Sequence, residues 1–148
     1  MLKSVSKARS SGAGRSFAIV ASRYNPRYVD AMLKAARKEL KAAGAASVKV
    51  VRVPGAYEIP VVTAALAGKT EGRPDAIICL GVIIRGATTH AQHIGEAVTM
   101  GLTQIQVSTG VPVIHEVLLL ENEQQAKDRC LGGDKNRGIE AARTALVM

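Results

Sequence analysis

Residues 75–90, with the sequence DAIICLGVIIRGATTH, decide the fold of this 148-residue chain. Their first half, residues 75–82, is the most apolar segment of the sequence and has the length of a strand that is buried on both faces. Residues 85–89 then predict a tight turn around Gly86, and a long helical pattern follows. Because a buried strand that leads through a short turn into a helix is the repeating unit of parallel sheets, we expect an α/β protein.

Strand and helix patterns alternate on both sides of this segment. Further short apolar runs predict strands at residues 17–21, 47–53 and 111–118. Helices are predicted at residues 26–43, at 58–67, from residue 90 onward, at 121–130 and at 136–147. Right-handed connections between successive strands would place all four strands in one parallel sheet with helices on both faces.

The first helix and the last strand carry local boundary signals. Asn25 is expected to cap the helix with its side chain, and Pro26 is expected to occupy the first helical position. Gly44 predicts the end of this helix. Pro112 has no backbone N–H, which indicates either the start of a strand or a strand at the edge of the sheet.

The composition is that of one globular domain. Hydrophobic residues make up 47% of the chain, charged residues 22% and aromatic residues only 3%, which favours close packing of helices on a sheet. No apolar run approaches the roughly 18 residues that cross a bilayer, and no secretory signal is recognisable, so we expect a cytoplasmic protein. Cys79 lies in an apolar run and is expected to be a buried, inert thiol.

The net charge of +8 is concentrated near the N-terminus. Lys3, Lys7, Arg9 and Arg15 all precede the first acidic residue, Asp30, in a segment rich in serine and glycine. We therefore expect residues 1–16 to form a flexible, solvated arm and residues 17–148 to form a single domain. A basic arm can bind phosphates, so a nucleic-acid-binding domain is one alternative. The few aromatic residues and the absence of a recognised motif disfavour it.

Three polar segments follow predicted strands and are expected to meet at the carboxyl edge of the sheet, where ligands bind in such folds. They are residues 22–25, 54–58 and 82–90. Gly86 allows close backbone approach, and the N–H groups at the following helix start favour an anion. His90 lies in the first helical turn, where the helix dipole favours a neutral imidazole suited to general acid–base catalysis. The alternative is that His90 only caps or packs at the helix start.

Other residues give weaker signals. Glu58, beside Tyr57, suits polyol hydroxyls but is equally explained as a surface residue at a helix start. Arg129 can bind a phosphate through two parallel hydrogen bonds, although a lone arginine is more often a surface residue. The sequence contains no Walker A motif, no serine in a nucleophile elbow and no cluster with metal-ligand spacing, so no metal is expected.

The order and spacing of several segments resemble the signature of the 6,7-dimethyl-8-ribityllumazine synthase family. The segments are SRYNP at 22–26, VPGAYEIP at 53–60 and GVIIRGATTH at 81–90. The resemblance covers about residues 17–148 and continues through GVPVI at 110–114 and NRG at 136–138. We therefore expect a flavodoxin-like fold, with three α/β/α layers around a four-stranded parallel sheet.

The resemblance implies a transferase that needs no cofactor and no metal. The family condenses 5-amino-6-(D-ribitylamino)uracil with 3,4-dihydroxy-2-butanone 4-phosphate in the penultimate step of riboflavin biosynthesis. The amine forms an imine with the ketone, phosphate is eliminated, and ring closure with loss of water gives the lumazine. The alternative is a catalytically weak homologue that forms a shell or binds riboflavin-like ligands.

The resemblance also implies roles for individual residues in binding the pyrimidine substrate. Tyr24 would stack on the pyrimidine ring. The ribityl chain would be held by Ala56, Tyr57 and Glu58, and the ring pocket would be lined by Val82, Ile83 and Ile84. His115 stands where a phenylalanine usually covers the ring from the next subunit.

The same resemblance implies a phosphate site next to a proton-transfer residue. Ala87 and Thr88 would cradle the phosphate, His90 would move protons, and Arg129 would complete the phosphate site from a neighbouring subunit. Residues 131–138 depart from the usual GTKAGNKG, because Gly133 replaces the first lysine of that loop and Arg137 replaces the second.

Assembly is a further implication of the resemblance. Family members are pentamers, and in many bacteria twelve pentamers form a hollow icosahedral shell. The expected partners are therefore the small-molecule substrates, other copies of the chain and, as a candidate, riboflavin synthase. No membrane partner is expected.

Overall fold

A four-stranded parallel sheet forms the centre of the computed structural model, which describes residues 11–148. The strands are β1 (Ser16–Ser22), β2 (Ser47–Val53), β3 (Ala76–Ile84) and β4 (Val113–Leu120). Their order across the sheet is β2-β1-β3-β4, and every neighbouring pair is parallel. The two edges of the sheet are therefore β2 and β4, and all four carboxyl ends lie at one side.

Helices cover both faces of this sheet. They are α1 (Pro26–Ala42), α2 (Ile59–Ala67), α3 (His90–Thr109), α4 (Glu123–Cys130) and α5 (Arg137–Val147). Alternate residues of β1 face opposite layers, as the pleat requires. Phe17 and Ile19 pack with α1, α4 and α5, whereas Ala18 and Val20 pack with α2 and α3. The three-layer α/β/α fold of flavodoxin type is thereby confirmed.

β3 and β4 both end two residues later than their sequence patterns predict. β3 continues through Ile83 to Ile84, because these residues remain paired with Leu119 and Leu120 of β4. β4 begins only after Pro112, whose carbonyl accepts a hydrogen bond from the N–H of Ile77 (2.9 Å). Pro112 therefore lies directly before a strand, and this strand is at the edge of the sheet, so both predicted alternatives are confirmed.

Asn25 starts α1 in a different way from that predicted. Its backbone is left-handed, with φ 55° and ψ 53°, and its side chain makes no capping hydrogen bond. Instead, Nδ2 donates to the carbonyl of Val82 at the end of β3 (2.7 Å). Asparagine tolerates the left-handed conformation, and this geometry turns the side chain across the sheet rather than back onto the helix. Pro26 is the first helical residue, and Gly44 (φ +84°) follows the helix end, both as predicted.

The last part of the predicted N-terminal arm packs against the domain. Gly12 is buried, and its N–H donates to the carbonyl of Ala43 (2.8 Å). The Arg15 guanidinium donates to the carbonyls of Leu146 (2.9 Å) and Ala145 (3.3 Å), near the end of α5. These contacts attach residues 12–15 to the domain, and the carboxyl end of a helix is a favourable place for a cation. Residues 1–10 of the predicted arm lie outside the described residues.

A short loop ties the end of α4 to α1 and α5. The Asn136 side chain caps α5 by accepting from the N–H of Gly138 (2.8 Å) and donates to the carbonyl of Cys130 (2.7 Å). A side chain at Gly138 would collide with the backbone carbonyl of Met32, so α1 and α5 approach each other closely there. This packing fixes the end of α4, the helix that carries Arg129.

Cys79 is fully buried in β3, as predicted. Its sulfur lies 3.3 Å from the hydroxyl oxygen of Thr63, and burial raises the pKa of the thiol to about 12. The thiol therefore stays protonated at neutral pH and is a poor nucleophile. Within residues 11–148, no helix is both long enough and apolar enough to cross a membrane.

Candidate active site

A cleft of about 570 Å³ lies beyond the carboxyl ends of β1, β2 and β3. The three segments that the sequence predicts to converge all contribute to it. It is lined by Tyr24, Asn25, Gly55, Ala56, Tyr57, Glu58, Val82, Ile83, Ile84, His90 and Ile94. A cleft of this size suits a small molecule, and it occupies the position where ligands bind in parallel α/β sheets.

Two tyrosines provide flat surfaces at the mouth of the cleft. Tyr24 follows β1 and is 68% exposed, and Tyr57 follows β2 and is 62% exposed. A Cβ at Gly55 would lie only 2.9 Å from two carbon atoms of the Tyr24 ring. A glycine is therefore required at position 55 to let the ring of Tyr24 lie beside the loop that carries Tyr57.

Glu58 both lines the cleft and holds its loop. Its Oε2 accepts a hydrogen bond from the backbone N–H of Gly55 (2.9 Å). This bond closes the single helical turn formed by Ala56–Glu58 at the start of α2. The carboxylate is therefore held at the cleft as an acceptor for ligand hydroxyl groups.

The apolar wall of the cleft comes from the end of β3. Val82 is buried, whereas Ile83 and Ile84 are partly exposed. Because Asn25 donates to the carbonyl of Val82, the start of α1 is fixed against this wall. Aliphatic side chains at such a position offer contact area to a planar ring.

His90 lies beside this wall as the first residue of α3. Its backbone N–H donates to Oγ1 of Thr88 at 3.4 Å. Thr88 and Ala87 lie in the exposed turn directly before the helix and do not line the cleft themselves. A Cβ at Gly86 would meet no atom within 4 Å, so packing inside the chain does not require a glycine in this turn.

His115 and Arg129 do not line the cleft of their own chain. His115 is on the edge strand β4, where its Nε2 lies 2.8 Å from Oγ1 of Thr99 on α3. Arg129 is exposed on α4. The cleft brings His90 together with the residues predicted to bind the pyrimidine and the ribityl chain, apart from His115. Ala87 and Thr88 lie in the adjacent turn, and His115 and Arg129 lie elsewhere on the surface.

An ion-pair cluster that the sequence analysis did not identify lies next to His115 in β4. The buried carboxylate of Glu116 accepts from Nε and Nη2 of Arg137 (3.1 and 3.2 Å), and Nη1 of Arg137 donates to Glu140 (2.8 Å). Burial raises the pKa of Glu116 to about 7, because the loss of solvation outweighs the attraction of Arg137. The guanidinium of the partly buried Arg137 is therefore paired with two carboxylates of its own chain.

Three residues of the cleft were not predicted individually as site residues. Ile94 follows His90 by one helical turn, so helical spacing alone could have placed it on the same face. Gly55 and Asn25 lie in two of the segments predicted to converge, but their individual roles depend on where the Tyr24 ring and the carbonyl of Val82 lie. Within residues 11–148, no cluster of three or more His, Cys, Asp or Glu side chains is arranged to hold a metal ion.

The chain is similar to known proteins along nearly its whole described length. A family model for 6,7-dimethyl-8-ribityllumazine synthase matches residues 14–148. The 6,7-dimethyl-8-ribityllumazine synthase of Kineococcus radiotolerans is 44% identical over 137 residues, which cover 91% of this chain and 83% of that protein. The protein of the same name from Stenotrophomonas maltophilia strain R551-3 is 42% identical over 134 residues, covering 89% and 85% of the two chains. That from Arthrobacter sp. strain FB24 is 44% identical over 132 residues, covering 88% and 80%.

The fold and the cleft define a class of three-layer α/β proteins with a small-molecule site beyond the carboxyl ends of a parallel sheet. The similarity covers the segments that form this cleft as well as the sheet that supports them. The chain belongs to the 6,7-dimethyl-8-ribityllumazine synthase family. The resemblance found in the sequence motifs is thereby confirmed.

Proposed function

We propose that this chain is a transferase of riboflavin biosynthesis that condenses 5-amino-6-(D-ribitylamino)uracil with 3,4-dihydroxy-2-butanone 4-phosphate. The products are 6,7-dimethyl-8-ribityllumazine, phosphate and water. The observation that carries the proposal is the single cleft in which Tyr24, Glu58 and His90 line one volume of about 570 Å³. Family membership supports the same reaction.

The pyrimidine substrate fits the part of the cleft between Tyr24 and β3. The exposed ring of Tyr24 stacks on the heterocycle, while Val82, Ile83 and Ile84 contact its other side. The polar ribityl chain lies along Ala56, Tyr57 and Glu58, where the carboxylate accepts hydrogen bonds from hydroxyl groups. This placement directs the reactive amine toward the start of α3.

The phosphate of the second substrate binds before α3. The backbone N–H groups of Ala87 and Thr88 lie at the amino end of this 20-residue helix, where the dipole favours an anion. Arg129 of a neighbouring copy adds a guanidinium, which forms charge-assisted hydrogen bonds with phosphate oxygens. Both substrates are then oriented for attack of the amine on the ketone.

His90 transfers protons between the reacting groups. Its first helical position puts the imidazole between the apolar wall and the phosphate-binding turn. The amine attacks the carbonyl carbon, and loss of water gives the imine. Removal of the proton from the neighbouring hydroxyl-bearing carbon expels phosphate from the terminal carbon and leaves an enol. This enol tautomerises to a new carbonyl, and attack of the ribityl-bearing nitrogen on that carbonyl closes the ring with loss of a second water. An imidazole near neutrality suits these steps because it both accepts and donates a proton.

The site is completed by assembly. Each site takes His115 and Arg129 from an adjacent subunit of a pentamer. The position of these residues outside the cleft of their own chain supports this proposal. Twelve pentamers would form the 60-subunit shell seen in the family. The reaction belongs to the cytoplasm, and riboflavin synthase, which acts after it, is the candidate protein partner.

The decisive experiment mixes the pure protein with both substrates and follows the fluorescence of the lumazine product. We expect formation of lumazine well above the rate of the reaction without protein, which is the control. A protein that binds the lumazine tightly but does not accelerate its formation would contradict the proposal and support the catalytically weak homologue. The His90→Ala variant, measured in parallel, tests whether the cleft is where the reaction occurs.

A further inference from the structure

Both ring nitrogens of His115 form hydrogen bonds within the chain. Nε2 lies 2.8 Å from Oγ1 of Thr99 on α3. Nδ1 accepts a hydrogen bond from the backbone N–H of Val117, two residues further along β4, at 3.3 Å. The imidazole therefore spans the space between the edge strand and the helix that covers it.

These partners determine the tautomer of His115. A backbone N–H can only donate, so Nδ1 must be the unprotonated acceptor nitrogen. The neutral ring then carries its proton on Nε2 and donates it to the hydroxyl oxygen of Thr99. Burial lowers the pKa of His115, which favours the same neutral form.

The edge position of β4 explains why the Val117 N–H needs this partner. β4 has a strand neighbour, β3, on one side only, so alternate backbone N–H groups point away from the sheet. Val113 of the same strand resembles Val117, since its N–H donates to Oε1 of Gln106 on α3 (2.9 Å). Side chains thus satisfy the backbone along this edge, and His115 is one of them.

With both nitrogens occupied, the ring of His115 has only its flat faces and C–H edges left for an external contact. A neutral imidazole of this kind stacks as a hydrocarbon ring does, without a polar atom that needs a partner. We propose that Thr99 is a positioning residue for the pyrimidine substrate, because it holds His115 as a neutral stacking surface that covers the ring in the adjacent subunit. This inference rests on the proposed function and extends it to a residue outside the cleft.

The test substitutes Thr99→Val, which has nearly the same shape but no hydroxyl. We expect the KM for the pyrimidine substrate to rise about 3- to 10-fold, as for loss of one neutral hydrogen bond. The KM for the butanone phosphate should stay unchanged. Thr99→Ser restores the hydroxyl and should restore the wild-type KM. Thr103→Val is the matched control, since the Thr103 hydroxyl bonds only to the carbonyl of Thr99 within the helix (2.8 Å).

A double substitution tests whether the effect of Thr99 on substrate binding depends on His115. If Thr99 acts through His115, Thr99→Val should change nothing in a His115→Phe background. A merely structural role of Thr99 would give the same effect in both backgrounds.

A spectroscopic measurement follows the tautomer itself. The chain has three histidines, so solid-state nitrogen NMR of histidine-labelled protein, assigned with His115→Phe, can resolve the ring of His115. We expect two well-separated nitrogen resonances in the wild type. In Thr99→Val, the resonance of Nε2 should shift because it loses its partner, whereas that of Nδ1, which accepts from the Val117 N–H, should stay.

The outcomes separate the two proposals. A wild type that forms no lumazine overturns the proposed function, and the substrate role of Thr99 with it. A wild type that is active, together with Thr99→Val that behaves like Thr103→Val in the pyrimidine KM, overturns only the role of Thr99. An unchanged Nε2 resonance in Thr99→Val overturns it as well.

Discussion

His90 and Arg129 are expected to have different roles in the same reaction, proton transfer for His90 and phosphate binding for Arg129. His90 lines the cleft at the start of α3, whereas Arg129 is exposed on α4 and would act on a neighbouring cleft. A proton-transfer group affects the rate of the bound complex, and a phosphate ligand affects binding before and during the reaction. Substitutions at the two positions should therefore change different kinetic parameters.

We expect His90→Ala to lower kcat by about 10²-fold, the lower end of the usual contribution of a positioned base. The loss is limited because an amine and a reactive ketone need mainly orientation, which the rest of the cleft supplies. Steady-state kinetics with both substrates measure the change in kcat. Full turnover of the variant would reduce His90 to a helix-start residue.

For Arg129→Ala, we expect a large rise in the KM of the butanone phosphate and little change in the KM of the pyrimidine. The lost interaction is a charge-assisted hydrogen bond to phosphate, which contributes on the order of 1.5–3 kcal/mol. Lys127→Ala, on the same helix, is the control for a general loss of positive charge. Equal increases in both KM values would argue against a phosphate-specific role.

The His115→Phe variant should keep its turnover and bind the pyrimidine at least as well as the wild type. Phenylalanine offers a similar flat face, and the only hydrogen bonds it removes are those to Thr99 and Val117. Measurements of kcat and of the KM for the pyrimidine substrate check this prediction. A loss on the order of 1–3 kcal/mol would instead mean that a nitrogen of His115 bonds to the substrate.

Glu116 and Arg137 join two elements, β4 and α5, through a buried pair of hydrogen bonds. The raised pKa of Glu116, about 7 against an ordinary 4.5, has a consequence for stability. Between pH 4.5 and about pH 7, Glu116 is protonated in the folded protein and ionised in the unfolded chain. The contribution of this carboxyl to stability is therefore fully present below about pH 4.5 and is lost as the pH rises through about 7.

We expect Glu116→Gln to gain stability relative to the wild type as the pH rises from 5 to 8, by on the order of 1–3 kcal/mol. Glutamine has the same shape and stays neutral, so it avoids the buried charge. Urea unfolding at fixed protein concentration measures the difference. Glu121→Gln, which changes an exposed carboxylate paired with Arg85, is the control for removal of a carboxylate at the surface. A stability difference for Glu116→Gln that is constant or falls with pH would contradict this assignment.

The elements were predictable from the sequence to a greater extent than their contacts. Apolar runs and helical spacing gave every strand and helix of the described chain within a few residues, because both signals are local. The site was predictable where it lies directly after a strand, as for Tyr24 and His90. The Glu116–Arg137 pair joins residues 21 positions apart, and the role of Asn25 depends on the carbonyl of Val82. Such contacts depend on strand register and helix placement, which a single sequence does not contain.

The whole molecule is expected to function as an assembly of at least five subunits. A monomer would hold Tyr24 and His90 in one cleft but present His115 and Arg129 outside it. The proposed form of this assembly is the 60-subunit shell of twelve pentamers. Light scattering of the purified protein checks this prediction. A stable, active monomer near 15.5 kDa would contradict the shared site, whereas an active pentamer would contradict only the shell.

The hydrogen bonds from Arg15 to the carbonyls of Ala145 and Leu146 have a practical meaning for protein engineering. They hold the start of β1 and the end of α5 together at the amino-terminal edge of the sheet, while the cleft opens at the opposite edge. A reporter or affinity peptide joined after Met148 would therefore emerge on the side away from Tyr24 and His90. Position 148 is therefore expected to accept a fused peptide without obstruction of the cleft in the same subunit.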